Sequence, residues 1–557
     1  MNYIRLLLIP FALLLGMCSG SQEGLRRDEL AKPDRSTTTA TTTPVHPSQR
    51  LRVEKDAEQA SGVTSNDAKQ GPYLRHEADR PLDQRYNPNF NTEGYSRIED
   101  NPFLDVKQNA LSTFSIDVDT ASYSNVRRFL NSGHLPPKDA VRIEEMINYF
   151  SYNYASPTGE HPFSVSMEKG VAPWNPEHEL VLIGLQAQKV EAKDMPPRNL
   201  VFLLDVSGSM DEPNKLPLLK RSLTLLADQL NEKDHVAIVV YAGAAGLVLE
   251  PTPGNNKARI KGALEELMAG GSTNGGQGIE LAYATAKKHF RKDGINRVIL
   301  ATDGDFNVGT TDEGSLTRLI EEKRKDGVYL TVLGFGMGNL KDSTMEKLAD
   351  KGNGNYAYID TFAEARKVLV EQAGGTLITV AKDVKIQVEF NPAQVSAYRL
   401  IGYENRLLRN EDFNDDKKDA GEIGAGHSVT ALYEIVRVGK SVPTSSVDPL
   451  RYQKPGNTET AFNGELMNVK LRYKKPDSET SILLNKTLAT EASAATENLR
   501  WASGVAMFGM VLRDSPHKGN ANFASAYEQA RQALGSDPNG YRSEMLRLLR
   551  QGEGLGR

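Results

Sequence analysis

The chain has 557 residues, too many for a single hydrophobic core, and its 39% apolar content is low for a chain that is globular throughout. Its formal net charge is only −5 and it holds no long run of Lys or Arg, which excludes the basic stripe that nucleic-acid binding requires. Cys18 is the only cysteine, so disulfides are excluded, and core packing, with metal as a further candidate, must stabilise the domains.

Residues 1–18 have the layout of an export signal: Arg5, an apolar run from Leu6 to Leu15, then Cys18. Leu15-Gly16-Met17-Cys18 resembles a bacterial lipobox, with Met17 where a small residue is usual. Cys18 is therefore read as a lipid attachment site, with a plain cleaved signal as the alternative. Residues 19–100 read as a disordered tether: the Thr-rich run from Ser36 to Pro44 and its polar surroundings cannot bury enough surface to offset ordering entropy. A tether of ~80 residues reaches on the order of 50 Å, enough to hold a globular head off a membrane. Together these features predict an exported chain, lipid-anchored in the cell envelope.

Residues 101–197 predict the first part of a β-rich domain with helices. Ser112 to Asp119 alternates apolar and polar residues as a strand does, and Ser122 to Leu130 and Asp139 to Tyr149 read as helices. Phe163 to Met167 and Leu180 to Leu185 return to strand character. Asp117 and Asp119 fall on one strand face, read as solvated, with Ser122 as a helix N-cap; a second cation there is the alternative.

Residues 198–374 alternate strictly between strand and helix. Leu200 to Leu204, Val236 to Tyr241, Val298 to Ala301 and Tyr329 to Leu333 are almost continuously apolar, as strands buried on both faces are. Leu219, Leu223, Leu226 and Leu230 form the stripe of one intervening helix. The pattern predicts an α/β fold with a doubly wound parallel sheet. A final helix from Phe362 to Gln372 runs into Gly374-Gly375, read as a helix end and linker, with a hinge as the alternative. Residues 375–486 turn β-rich again, and 487–557 read as helices. The strands before Arg198 and after Gly374 are expected to form one sandwich into which the doubly wound domain is inserted.

The chemistry gathers in three loops of that domain. One strand ends in Asp205-Val206-Ser207-Gly208-Ser209, another in Thr302-Asp303-Gly304-Asp305, and Gly270-Gly271-Ser272-Thr273-Asn274 lies between them. Asp-x-Ser-x-Ser alone occurs by chance in about one chain in seven of this length, so the weight rests on its context. Both aspartates sit at the carboxyl ends of strands, where open parallel sheets bind ligands. Two carboxylates (Asp205, Asp303) and three hydroxyls (Ser207, Ser209, Thr273) are hard donors suited to Mg²⁺ or Mn²⁺. Helix capping by the serines explains one loop but not three.

In order and spacing these loops resemble the metal-ion-dependent adhesion site of von Willebrand factor type A and integrin inserted domains. The resemblance implies that Ser207, Ser209 and Thr273 touch the metal and that Asp205 and Asp303 bind it directly or through water. A partner's Asp or Glu would complete the coordination, and Asp305 is a further acidic neighbour. The stretch from Phe114 to Ser124 and the region through Arg513-Asp514-Ser515 resemble the flanks of bacterial von Willebrand-type proteins, many of them lipoproteins.

The resulting expectation is a binding module, not an enzyme, with Mg²⁺ engaging an acidic residue of a partner protein or matrix. An envelope scaffold with a structural metal site is the alternative, and a metal-dependent hydrolase a weaker one, because no general base is evident. Gly270 to Gly278 lacks the lysine of a phosphate-binding loop, no Gly-x-Ser-x-Gly or His-Glu-x-x-His occurs, and His161, His178, His235 and His289 are scattered singly.

Overall fold

Two antiparallel sheets enclose a core made from chain on both sides of the inserted domain. The first runs Leu104–Asp105, Val395–Ile401, Ser428–Arg437, Asn175–Ala187, Phe163–Ala172. In the second, Thr379–Phe390 is central, with Gly421–Gly424 and Leu111–Ser115 on one side and Glu465–Lys474, then Ser481–Ala489, on the other. The computed structural model describes residues 92–556, apart from 117–118, 273–274, 305–312, 373–376, 442–461, 463 and 492–494. Cys18, the tether to residue 91, Thr273, Asp305 and Gly374-Gly375 therefore lie outside the described residues.

Strand Asn175–Ala187 shows why its apolar run is continuous. Val181, Ile183 and Leu185 point into the sandwich, while Leu180 and Leu182 face a helical layer. That layer packs Ala121–Asn131 and Ile143–Asn148 with the C-terminal helices Glu497–Arg513, Phe523–Arg531 and Tyr541–Leu555 around Trp501, Phe508 and Tyr149. Glycine is required at 184, where a Cβ would come within 2.4 Å of the Tyr154 ring. Among the described residues no helix is long and apolar enough to cross a membrane.

The inserted domain is a six-stranded sheet in the order Tyr356–Ile359, Tyr329–Phe335, Ile295–Thr302, Arg198–Asp205, His235–Tyr241, Ala245–Pro253. The first five strands are parallel; Ala245–Pro253 is an antiparallel edge strand that the strand–helix alternation did not signal, because it returns by a short hairpin without a helix. Helices Leu216–Asp228 and Lys257–Glu265 cover one face, Gly275–Lys288 and Asp342–Lys351 the other. The two ends of the insert meet one turn of the sandwich: Gly426 N–H donates to the Gln188 carbonyl and Ala425 N–H to that of Ile378, both at 2.8 Å. Close ends are what domain insertion needs.

A buried ionic network fastens the insert to its flanks. Arg127 donates to Asp360 (2.8 Å), Glu364 (2.7 Å), Glu544 (2.9 Å) and the Tyr149 hydroxyl (3.0 Å). Glu364 lies on the short helix Phe362–Arg366, which passes into a π-helical turn, Lys367–Glu371, whose Lys367 ammonium donates to the Tyr149 carbonyl at 2.7 Å. A cavity of about 600 Å³ separates the lower end of the insert from the sandwich, lined among others by Arg198, Thr331, Glu422 and His427.

Residues 92–100, expected within the tether, are instead bonded to the insert and to its flanks. Thr92 and Gly94 N–H groups donate to the carbonyls of Gly338 and Leu340 at 2.8 Å, and Glu93 pairs with Arg128. Asp100 pairs with Arg513, so the segment is held chiefly by backbone bonds and ion pairs, which leave no apolar period to detect.

Candidate functional site

The site lies at the carboxyl end of the insert's parallel strands. Asp205 is the last residue of strand Arg198–Asp205 and is fully buried. Its Oδ1 accepts the Ser207 N–H at 2.9 Å, and its Oδ2 accepts the Tyr241 and Thr302 hydroxyls, each at 3.2 Å. The chain then makes a 3-10 turn, Gly208–Asp211, pinned by the fully buried Met210, so that Ser207 and Ser209 turn toward each other with their Oγ atoms 3.0 Å apart.

The second loop is drawn alongside by two backbone bonds, Gly208 N–H to the Gly271 carbonyl (3.1 Å) and Gly270 N–H to that of Val206 (2.8 Å). Gly271 adopts φ +82°, a left-handed conformation that favours glycine. Ser272 is the last described residue before Thr273. In the third loop Asp303 follows strand Ile295–Thr302, and Gly304, at φ +97°, lets the chain pass where a Cβ would lie 2.5 Å from the Lys341 backbone nitrogen. Four of the five expected ligands, Asp205, Ser207, Ser209 and Asp303, are thus gathered in adjoining loops; Thr273 lies outside the described residues.

Sequence reading missed Lys215, which precedes helix Leu216–Asp228. Its buried ammonium donates to Asp303 Oδ2 (3.1 Å) and to the Ser209 carbonyl (3.0 Å), and its stem occupies the space beside Gly336, where a Cβ would come within 2.4 Å of it. A lone lysine ten positions after Asp205 has no periodic signal to give it away. Thr302 and Tyr241 were also missed as the hydroxyls that hold Asp205, since each reads as an ordinary strand residue.

The two carboxyls differ electrostatically. Burial, added to by Asp303, pushes Asp205 up to about 6 against the hydrogen bonds from Ser207 and Thr302. Burial acts on Asp303 in the same sense but is outweighed by hydrogen bonds from Asn339 and Ser209 and by the Lys215 charge, so that carboxyl is held below its ordinary range.

The geometry suits a small octahedral ion: oxygens at about 2.0–2.1 Å from a common metal lie about 3 Å apart in neighbouring positions, the separation of Ser207 and Ser209. The donors are all hard oxygens, and Asp205 has one oxygen on the Ser207 N–H while still near Asp303.

Asp119 and Ser122 do not have the roles their sequence suggests. Asp119 is not on a solvated face but buried, its Oδ1 accepting the Tyr356 N–H at 2.7 Å. Ser122 lies inside helix Ala121–Asn131, where its hydroxyl donates to the Ala140 carbonyl at 2.8 Å. Asp117 is outside the described residues. Of the histidines, His161 meets the Tyr473 hydroxyl at 2.8 Å, while His178 pairs with Glu434 and His235 with Arg291.

Three families match the chain. The one described as von Willebrand factor matches residues 89–182, the von Willebrand factor type A domain 199–372, and the one described as uncharacterized protein YfbK, C-terminal, 375–555. The protein YfbK of Escherichia coli is 46% identical over 476 residues, which cover 84% of this chain and 82% of that protein. The magnesium-chelatase 60 kDa subunit of Rhodobacter capsulatus is 28% identical over 167 residues, 30% of this chain and 29% of that one. A solved von Willebrand factor type A structure from Catenulispora acidiphila is 18% identical, with a TM-score of 0.39, and the match covers 72% of this chain and 91% of that chain.

Proposed function

This chain belongs to the family of the Escherichia coli protein YfbK and carries a von Willebrand factor type A domain, and from that membership we propose that it is a metal-dependent protein-binding module of the bacterial cell envelope. Ser207, Ser209 and Thr273 would hold Mg²⁺ or Mn²⁺, with Asp205 and Asp303 supplying charge. The ion supplies a Lewis-acidic position for an Asp or Glu of a partner protein or matrix. Hydroxyl ligands carry no formal charge, so they leave the site electrophilic toward an outside carboxylate. A lipid on Cys18 and the tether behind it would display the domain from a membrane. The observation that carries this reading is the 3.0 Å approach of the Ser207 and Ser209 hydroxyls between Asp205 and Asp303.

Lys215 supports a second reading. Its ammonium ties Asp303 to the Ser209 carbonyl, which suits an envelope scaffold in which a metal at this site is structural and does not engage the partner. Capture of envelope proteins on the immobilised chain separates the two. Partners retained in Mg²⁺ and lost both with chelator and in Asp205→Ala support adhesion; partners retained in all three conditions support the scaffold.

A further inference from the structure

Away from the adhesion-type loops, three buried carboxylates meet where the inserted domain joins the region before it. Asp119 lies just before helix Ala121–Asn131, Glu145 is on helix Ile143–Asn148, and Glu346 is on the insert's helix Asp342–Lys351. One oxygen from each lies within 4.8 Å of the others. That is the span of one cation with oxygens at about 2.3–2.6 Å on opposite sides.

The surroundings do not balance the charge. Asp342 and Asp350 add two carboxylates, and the guanidiniums facing the five are Arg142, paired with Glu145, Asp342 and, at 3.9 Å, Glu346, and Arg406, paired with Glu346, Asp350 and, at 3.6 Å, Asp119. Among the described residues this leaves an excess of negative charge in a region almost closed to water. Asp119 shows the deficit most sharply. Its side chain has no solvent exposure, its Oδ1 is taken by the Tyr356 N–H, and its Oδ2 has no hydrogen-bond partner, with the Arg406 guanidinium standing off at 3.6 Å. A buried carboxylate oxygen that accepts no hydrogen bond and has only a long ion pair is costly, and a bound cation is one way to satisfy it.

A route for a cation is also present. A cavity of about 310 Å³ reaches Glu346 and Arg142 and is walled by Glu99, Glu144 and Glu404 together with Arg97, which pairs with Glu99. The Glu144 Oε2 is likewise buried without a partner. An acidic chamber of this kind concentrates cations and has room for water to complete a coordination shell.

We infer that Asp119, Glu145 and Glu346 form a second cation site, suited to Ca²⁺, that clamps the type A domain to the chain in front of it. Carboxylates drawn from separate elements make an irregular set, which Ca²⁺ accepts more readily than Mg²⁺ with its strict octahedron. Because Glu346 comes from the insert and Asp119 and Glu145 from the flank, the ion ties the two together. A proton shared by the acids is the competing occupant.

Calcium binding to the full chain tests this in an Asp205→Ala background, which silences the adhesion-type loops. After EDTA treatment and dialysis, calorimetric titration with Ca²⁺ should find one ion per chain, and saturation should raise the melting temperature by roughly a few degrees. Adding Asp119→Asn should abolish both effects while leaving the EDTA-treated melting temperature no lower, since Asn relieves the excess of negative charge and gives up only a 3.6 Å ion pair to Arg406. Glu346→Gln should weaken Ca²⁺ by about ten-fold or more. No Ca²⁺ uptake by Asp205→Ala, or uptake unchanged by Asp119→Asn, overturns the inference. Neither result touches the adhesion reading, which depends on Mg²⁺ binding that Asp205→Ala removes and Asp119→Asn leaves intact.

Discussion

The adhesion-type loops and the junction between insert and flanks are both rich in buried carboxylates, yet they are built to opposite ends. In the loops two carboxylates and two described hydroxyls face one lysine, and Gly208 is exposed and Ser209 half-buried beside them, so the group can take something from outside. At the junction the side chains of Arg127, Asp360, Glu364 and Tyr149 are enclosed and bonded chiefly to one another across more than two hundred residues of sequence. Charges placed to receive a partner are buried beside an exposed turn through which a ligand can reach them. Charges placed to join two parts of a chain are enclosed, and there the loss of one member strands the rest.

The contrast predicts that junction substitutions cost stability while loop substitutions cost binding. The largest effect should come from Arg127→Met, which leaves Asp360 and Glu364 buried without their guanidinium. Urea denaturation should register a loss of about 3–5 kcal/mol, while Mg²⁺ affinity of the folded protein stays the same. A loss within the range of an ordinary surface change would break the comparison.

His427, on the wall of the cavity beneath the insert, gives a pH-dependent version of the same test. Burial, helped by Lys367, holds its imidazole down at about 4. The unfolded chain takes up a proton near the ordinary histidine value of about 6.5 and the folded chain does not, so stability falls as pH drops from about 6.5 to about 4. The loss attributable to this group should reach up to about 3 kcal/mol. It should be read as the difference in pH slope between wild type and His427→Asn; parallel slopes would mean that the imidazole is solvated in the fold.

Lys215→Met should produce the smallest change in stability, and it sharpens the comparison because it acts on both properties. Removing the ammonium from Asp303 should cost the metal-free protein about 1–2 kcal/mol. The same change should tighten Mg²⁺ binding by about ten-fold or more, since a like charge leaves the site. Weaker Mg²⁺ binding in this variant would mean that Lys215 orders the loops and does not compete with the ion.

The two regions also differ in how far the sequence disclosed them. Asp205 and Asp303 could be located because each ends a buried strand whose apolar run is visible, and Ser207 and Ser209 because they are two and four positions on. The doubly wound order was legible for the same local reason. Asp119 was misplaced because period-two alternation says which residues share a face but not whether that face is covered, and its cover comes from strand Tyr356–Ile359, more than two hundred positions away. Arg142 and Glu346 read as ordinary polar helix residues until helix Asp342–Lys351 is set against helix Ile143–Asn148. Lys215 was hidden for a different reason: a long flexible side chain reaches a partner that spacing does not specify.

Asp205, Ser207, Ser209 and Asp303 are proposed to act together as a metal site. That role is tested most directly by calorimetric titration of Mg²⁺ into the EDTA-treated full chain, wild type against Asp205→Ala, with circular dichroism to establish that both are folded. Wild type should bind one Mg²⁺ that Asp205→Ala loses, with a weakening of about a hundred-fold or more. Equal Mg²⁺ affinities in two equally folded proteins would contradict it.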